Sequence, residues 1–66
     1  MITVYSKPGC PKCRVLKMKL DKKGIEYDDF QDVDKMMKMG LLSLPILCVD
    51  GKMIKFEDAV KYVNEL

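Results

Sequence analysis

Apolar side chains recur at helical spacing over residues 11–23, and this repeat predicts a first helix with one buried face. The side chains on that face are Cys13, Leu16 and Leu20, with Val15 widening the stripe. Pro11 suits the first helical position, where its missing N–H has no partner to lose. Gly24 suits the C-terminal stop of the same helix.

Four shorter segments predict strands, because they are either continuously apolar or alternate apolar and polar side chains. They are Ile2–Tyr5 and residues 25–28, 44–49 and 53–55. A second helix is predicted over residues 32–40, with Asp32 or Asp34 as its cap and Gly40 as its end. Its three methionines, Met36, Met37 and Met39, fit either core positions or an adaptable contact surface.

A third helix is predicted to begin at Phe56 and to have Leu66 at its end. The residues that share its apolar face are Phe56, Ala59, Val60 and Val63. The resulting order is β-α-β-α-β-β-α, in which the first helix crosses between parallel strands and Asp50-Gly51 closes an antiparallel hairpin. This order predicts an α/β fold, a four-stranded mixed sheet with helices on both faces, as a single domain over residues 1–66.

Composition and charge narrow the classes of function. The 66 residues are 48% hydrophobic and 33% charged, with a net charge of +2. So small a charge, without aromatic residues interleaved among the lysines, argues against a protein that binds nucleic acid. No apolar run reaches the ~18 residues of a membrane span, and no signal peptide is evident. A cytoplasmic monomer with no membrane partner is therefore expected.

The pair Cys10 and Cys13 is the candidate chemistry, since two thiols in a C-x-x-C between a strand and a helix are typical of a thiol–disulfide redox site. The N–H groups of the first helical turn favour an anion at Cys10. Lys7, Lys12 and Arg14 add positive charge. Cys10 is therefore predicted to have a lowered pKa and to be the nucleophile, and Cys13 to resolve the mixed disulfide.

Other uses of the two cysteines fit less well. Structural zinc needs four ligands, and the chain offers only Cys48 besides this pair and has no histidine. A purely structural disulfide would close too short a loop to restrain the chain. The lack of histidine also excludes Cys–His hydrolysis. Cys48 lies within the third predicted strand and is expected to be an inert core thiol.

Leu44-Pro45 opens that third strand and allows two interpretations. Proline is permitted at the first residue of a strand, so the pair can be simple punctuation. Alternatively, Pro45 follows a cis peptide beside the cysteines, and the backbone of Leu44 pairs with an extended substrate. The residues alone do not decide between the two.

The chain resembles the glutaredoxin family, within the thioredoxin fold, over nearly its full length. The matching segments are residues 4–7, 10–13, 43–45, 49–52 and 57–58. The resemblance implies a dithiol oxidoreductase with Cys10 and Cys13 as catalytic residues. It further implies that Pro11, Lys12 and a cis Pro45 support them.

The resemblance also implies glutathione as a co-substrate, with no tightly bound cofactor and no metal. In this family a lysine before the active-site turn pairs with a glutathione carboxylate, and Lys7 stands there. The backbone of the residue before the cis proline meets the glutathione cysteine, and here that residue is Leu44, followed by Pro45. An acidic residue at the start of the last helix holds the γ-glutamyl end, and Asp58 matches it.

Several positions depart from the family pattern. Lys55-Phe56 replace a pair of glycines, so the glutathione groove is expected to be partly filled. Lys12 replaces a common aromatic residue, and Ala59 replaces a second acidic residue. These features, with the short chain, resemble small redoxins that thioredoxin reductase reduces and that serve ribonucleotide reductase, although their tryptophan motif is absent.

The expected partners are therefore glutathione and disulfide-containing proteins, with thioredoxin reductase as the alternative reductant. A metal or iron–sulfur carrier using Cys10 and Cys13 is the alternative of another class. The family's cluster-binding monothiol members have their second cysteine replaced, so Cys13 argues against that class.

Overall fold

The seven predicted elements are present in the predicted order in the computed structural model, which describes residues 1–41 and 43–66. They are β1 (Ile2–Tyr5), α1 (Pro11–Lys22), β2 (Asp28–Phe30), α2 (Val33–Lys38), β3 (Ile46–Val49), β4 (Lys52–Lys55) and α3 (Phe56–Asn64). The fold class predicted from the sequence is confirmed.

The strands form one mixed sheet in the order β2-β1-β3-β4. β1 runs parallel to β2 and antiparallel to β3, and β4 returns antiparallel to β3. Asp50 and Gly51 both have positive φ, of 50° and 87°. Two such residues make the tight turn whose twist matches the flanking strands, so the predicted hairpin is confirmed.

One face of the sheet is covered by α1 and α3, and the main core lies there. The fully buried residues of this core are Val4, Leu16, Leu20, Leu47, Ala59 and Val63. Val4 pairs with Leu47 across β1 and β3, so both side chains point to the same face. Burying each large side chain contributes roughly 1.5–3 kcal/mol, so this cluster anchors the helix that carries the cysteines.

The opposite face is covered more thinly, by α2. Ile46 is the neighbour of Leu47 in β3, so its side chain points to this second face. Both Ile46 and Met36 are buried outside the main core, which places α2 here. Met37 and Met39 are exposed instead. The core interpretation is therefore correct for Met36 alone, and a contact surface at Met37 and Met39 stays a prediction.

Helix ends follow the predicted signals. Gly24 has a φ of +67°, and beyond it the N–H of Ile25 donates to the carbonyl of Leu20 at 3.0 Å, which closes α1. Asp32 caps α2 by accepting the N–H of Lys35 at 3.1 Å. No helix in the described part of the chain is both long and apolar enough to cross a bilayer.

Four expectations need correction. β3 begins at Ile46, so Leu44 and Pro45 precede the strand rather than opening it. β2 spans Asp28–Phe30 rather than residues 25–28, because Ile25 and Tyr27 pack against the main core without joining the ladder. Val15 is exposed, since each residue advances about 100° around a helix and this one points away from the stripe. Leu66 is exposed beyond the end of α3.

Candidate active site

The two cysteines meet at the N-terminus of α1, where they are joined as a disulfide with their Cα atoms 5.3 Å apart. Cys10 is the N-cap residue, and its sulfur accepts a hydrogen bond from the N–H of Cys13 at 3.2 Å. Cys10 is half-buried, whereas Cys13 is only 2% exposed. An incoming disulfide can therefore reach the outer sulfur, while the inner sulfur is enclosed one turn below it.

Positive charge surrounds the outer sulfur. α1 has no acidic side chain in its first turn, and the N–H of Cys13 in that turn donates to the Cys10 sulfur. Lys7, Lys12 and Arg14 are exposed, and none of them pairs with a carboxylate of residues 1–41 or 43–66. The end of the helix and these side chains therefore place positive charge near the Cys10 sulfur.

A carboxylate below the active-site loop ties three elements together. Asp29 of β2 accepts hydrogen bonds from the hydroxyl of Ser6 at 2.7 Å, from Nζ of Lys17 at 2.7 Å and from Nε2 of Gln31 at 2.9 Å. Burial opposes its ionisation, but the bonds from Lys17, Ser6 and Gln31 together with the charge of Lys17 outweigh burial, so the pKa of Asp29 is lowered. Since Ser6 is fully buried where β1 ends and the loop begins, Asp29 fixes that loop against α1.

A groove lies between the first turn of α1, where Lys12 borders it, and the start of α3. The peptide bond between Leu44 and Pro45 is cis, as the resemblance implied, and Pro45 is fully buried. The groove is lined by Lys12, Ser43, Leu44, Pro45, Lys55, Phe56, Glu57 and Asp58. Four of the predicted site residues are thus brought together: Lys12, Leu44, Pro45 and Asp58.

The side chains of Lys12 and Phe56 meet across this groove. Nζ of Lys12 lies 5.5 Å from the centroid of the Phe56 ring, in a cation–π arrangement. Phe56 also packs against the main core, so its ring is held in place from below. Phe56 occupies one of the two positions where the glutaredoxin pattern has glycine, and its contact with Lys12 bridges the groove. The sequence predicted that Lys55 and Phe56 would partly fill it.

Lys7 stands apart from the rest of the predicted glutathione contacts. It lines a second cleft, on another side of the cysteines, and is absent from the residues that line the groove. The cleft is bordered by Lys7, Pro8, Gly9, Cys10, Cys13, Arg14, Lys17, Met18, Asp21, Tyr27 and Gln31. The predicted glutathione residues thus fall into two depressions.

Sequence reasoning missed the Asp29 cluster. Its partners Ser6 and Lys17 lie 23 and 12 residues away along the chain, so no local pattern relates them. Cys48 is an unbonded cysteine and is half-buried rather than enclosed in the core, because it lies on the more thinly covered face of the sheet. Nowhere among the described residues do three or more His, Cys, Asp or Glu side chains group in a way that could hold a metal ion.

Comparison with known sequences identifies relatives of one kind. The family model described as Glutaredoxin matches residues 2–54. The "glutaredoxin-like protein NrdH" of Lactococcus lactis subsp. lactis (strain IL1403) is 32% identical over 56 residues, covering 76% of this chain and 78% of the relative. An "uncharacterized glutaredoxin-like 8.6 kDa protein in rubredoxin operon" of Clostridium pasteurianum is 33% identical over 61 residues, covering 82% and 81%.

Comparison with solved structures agrees with the topology. A crystal structure of a mutant of the thioredoxin-like protein BC3987 superposes with a TM-score of 0.78. It is 25% identical, and the match covers 100% of this chain and 97% of that one. The fold described above is therefore the thioredoxin-like fold.

Proposed function

Because the chain belongs to the glutaredoxin family, we propose that it is a dithiol oxidoreductase that reduces disulfides through Cys10 and Cys13. The observation that carries the proposal is the unequal burial of two bonded sulfurs at one helix N-terminus. The accessible sulfur suits attack on a substrate, and the enclosed sulfur suits an intramolecular second step.

In the first step the Cys10 thiolate attacks one sulfur of the target disulfide. The target S–S bond breaks, and its second sulfur leaves as a thiolate. The product is a mixed disulfide between Cys10 and the target. The N–H of Cys13, which donates to the Cys10 sulfur, supports the attacking anion, as do the charges of Lys7 and Arg14.

In the second step the Cys13 thiolate attacks the Cys10 sulfur within the mixed disulfide. The bond to the target breaks, and the target leaves as its second thiolate. The Cys10–Cys13 disulfide forms, so two electrons have passed from the protein to the target. The disulfide found in this structure corresponds to that oxidised state.

The groove beside the cis peptide is where we place the target chain. An extended segment can pair with the backbone of Leu44 in the manner of an added strand. Lys12 and Pro45 would shape the two walls of this groove next to the sulfurs. Main-chain pairing is independent of sequence, so this contact suits many disulfide-containing proteins.

Glutathione is the first candidate for the reductant that restores the dithiol. It would place its cysteine at Leu44, its γ-glutamyl ammonium at Asp58 and a carboxylate at Lys7. Thioredoxin reductase is the second candidate, with ribonucleotide reductase as the protein substrate. One observation favours this second candidate: Lys12 and Phe56 bridge the groove that glutathione would enter.

Coupled assays with a disulfide-containing substrate test both the oxidoreductase activity and the identity of the reductant. NADPH consumption is measured with glutathione plus glutathione reductase, and separately with thioredoxin reductase alone. We expect turnover in at least one system, its loss in Cys10→Ser, and its retention in the matched control Cys48→Ser. Turnover that survives Cys10→Ser would overturn the oxidoreductase proposal.

A further inference from the structure

The second cleft beside Cys10 contains positive charge that the chemistry above uses only in part. Lys7 lies three residues before Cys10, and Arg14 lies one helical turn after it, in α1. Both side chains are exposed and lack a carboxylate partner within the described residues. Lys17 also borders the cleft, but Asp29 neutralises it at 2.7 Å.

We propose that this cleft binds acidic side chains next to the target cysteine of a disulfide-containing protein. The inference rests on the proposed function, because the acidic side chains in question are those next to the cysteine that Cys10 attacks. It adds a class of substrate: disulfides flanked by Asp or Glu are reduced in preference to neutral or basic ones.

The charges of the cleft lie within reach of such a segment. An extended chain spans about 3.3–3.6 Å per residue, so the first two neighbours of a target cysteine reach about 7 Å from its Cα atom. Asp21 is the one acidic side chain that borders the cleft. It lies seven residues beyond Arg14 in the same helix, or about 10 Å along the axis. The end of the cleft nearest Cys10 is therefore basic.

The cleft and the groove offer separate contacts. Arg14 borders the cleft and is absent from the lining of the groove, where Leu44 and Asp58 lie. A substrate can therefore pair its backbone at Leu44 while its acidic side chains face Lys7 and Arg14. Arg14 is accordingly the better residue for a test, since Lys7 is also proposed to contact glutathione.

Three short peptide disulfides provide the substrates. They are identical except for two residues beside the cysteine, which are Asp, Asn or Lys. The fully reduced protein is mixed with each peptide, the reaction is stopped with acid, and the released peptide thiol is quantified. The same peptides reduced by dithiothreitol, a neutral dithiol, correct for their intrinsic reactivity.

After this correction we expect the rate of reduction to fall in the order Asp peptide, Asn peptide, Lys peptide. The preference for the Asp peptide should shrink as salt rises from about 0.01 M to about 1 M. Because Arg14 also supports the Cys10 thiolate, Arg14→Gln should slow all three peptides, and the Asp peptide should lose about two- to five-fold more rate than the Asn peptide. Lys22→Gln is the control, because it makes the same change in net charge in the last turn of α1.

Binding without chemistry separates the two proposals. Peptides with serine in place of cysteine are titrated into ¹⁵N-labelled protein, and the Asp peptide should shift the amide signals of residues 7–14 more than the Lys peptide does. If that preference is present but no disulfide is reduced, the proposed function falls and the docking surface stands.

Equal rates for the three peptides would overturn the docking surface and leave the oxidoreductase intact. An equal effect of Arg14→Gln and Lys22→Gln would also overturn it, since net charge alone would then explain the preference. The proposal would also be overturned if Arg14→Gln lost as much activity with glutathione as it loses with the Asp peptide. The cleft would then serve glutathione rather than an acidic protein segment.

Discussion

One helical turn separates two cysteines of identical chemistry, and their burial and their position at the end of the helix make them different. The Cys10 sulfur caps α1 and Cys10 borders the second cleft, whereas Cys13 has 2% of its surface exposed. Accessibility decides which sulfur a bulky disulfide meets first, and proximity decides which one follows. The two roles proposed above are thus set by position along one helix.

Trapping experiments address this division of roles. Cys13→Ser exposed to oxidised glutathione should stop at the mixed disulfide, because no second thiol lies within reach of the Cys10 sulfur. Cys10→Ser should trap little, since the Cys13 thiol is enclosed. Mass spectrometry of both variants measures the adduct. Comparable adducts on the two variants would contradict the assignment.

The contact between Lys12 and Phe56 leads to a prediction about glutathione. Lys12→Gln removes the cation from above the ring and should weaken the bridge across the groove without altering the core. Phe56→Gly removes the bridge altogether, and it should raise the catalytic efficiency with glutathione by several-fold. In the glutathione-coupled assay, catalytic efficiency should rise from the wild type to Lys12→Gln and again to Phe56→Gly.

Stability must be measured alongside, because Phe56 packs against the main core. Removal of a buried ring costs about 3–5 kcal/mol, and this half-buried one should cost less. Lys12→Gln lacks this complication and serves as the internal control. If neither variant changes glutathione use while both remain folded, the ring does not obstruct the groove.

The sequence predicts the positions of helices and strands well where the residues with buried side chains are also the residues whose backbone forms the element. The α1 stripe of Cys13, Leu16 and Leu20 is buried as predicted, and Asp50-Gly51 forms the predicted turn. β2 was placed three residues too early, because alternation reports which side chains are buried and not which backbone groups pair. Tyr27 is half-buried and supports the core, yet the ladder begins at Asp28.

The residues of the candidate site also divide into some that the sequence predicts and some that it does not. Cys10, Cys13 and the cis Pro45 were predicted because local spacing or the family pattern identifies them. The brace of Ser6, Lys17 and Asp29 was not, because it joins β1, α1 and β2 only after they have packed. Contacts that tertiary packing creates between short polar side chains leave no periodic signal in a sequence.

The Asp29 brace predicts how stability changes with pH. Its carboxyl has a lowered pKa in the folded chain, so it contributes stability above the unfolded value of about 3.9. That contribution is lost as pH falls through the lower folded value. Asp29→Asn should therefore cost about 1 kcal/mol at pH 7, a modest figure because the carboxylate is 37% exposed, and should weaken the loss of stability in acid.

Urea unfolding at pH 7 and at pH 3 measures both effects. Asp28→Asn is the matched control, since Asp28 lies next to Asp29 in β2, is exposed and makes no side-chain hydrogen bond in the described structure. Equal free energies of unfolding for the two variants at pH 7 would show that the brace adds no stability.

The whole molecule rests on a small core. At about 0.05–0.15 kcal/mol per residue, a chain of 66 residues has a free energy of unfolding of roughly 3–10 kcal/mol. Among residues 1–41 and 43–66, six fully buried residues join the sheet to α1 and α3, and the cysteines depend on α1 for their position. Site geometry and global stability are therefore closely linked in a chain of this size.

Leu47→Ala should demonstrate that link. Leu47 is fully buried in β3, and truncation of a buried leucine costs about 2–5 kcal/mol, a large share of the total. We expect a marked drop in the urea midpoint and in the thermal midpoint. Leu66→Ala is the control, since that leucine is 54% exposed and lies beyond α3. Similar midpoints for the two variants would show that the core is not the main source of stability.

The inner position of β1 in the sheet has a consequence for how the molecule opens. β1 and β3 are bonded on both sides, whereas β2 and β4 are edge strands. Local fluctuations detach edge strands at lower free energy than inner ones, so the amides of β1 should exchange with deuterium among the slowest. The loop that carries the cysteines continues directly from β1. Fraying of β4 therefore leaves that loop in place, whereas fraying of β2 removes the Asp29 contacts that fix it against α1. The lifetime of the enclosed Cys13 thiol against peroxide should accordingly depend on opening at the β2 edge rather than at the β4 edge.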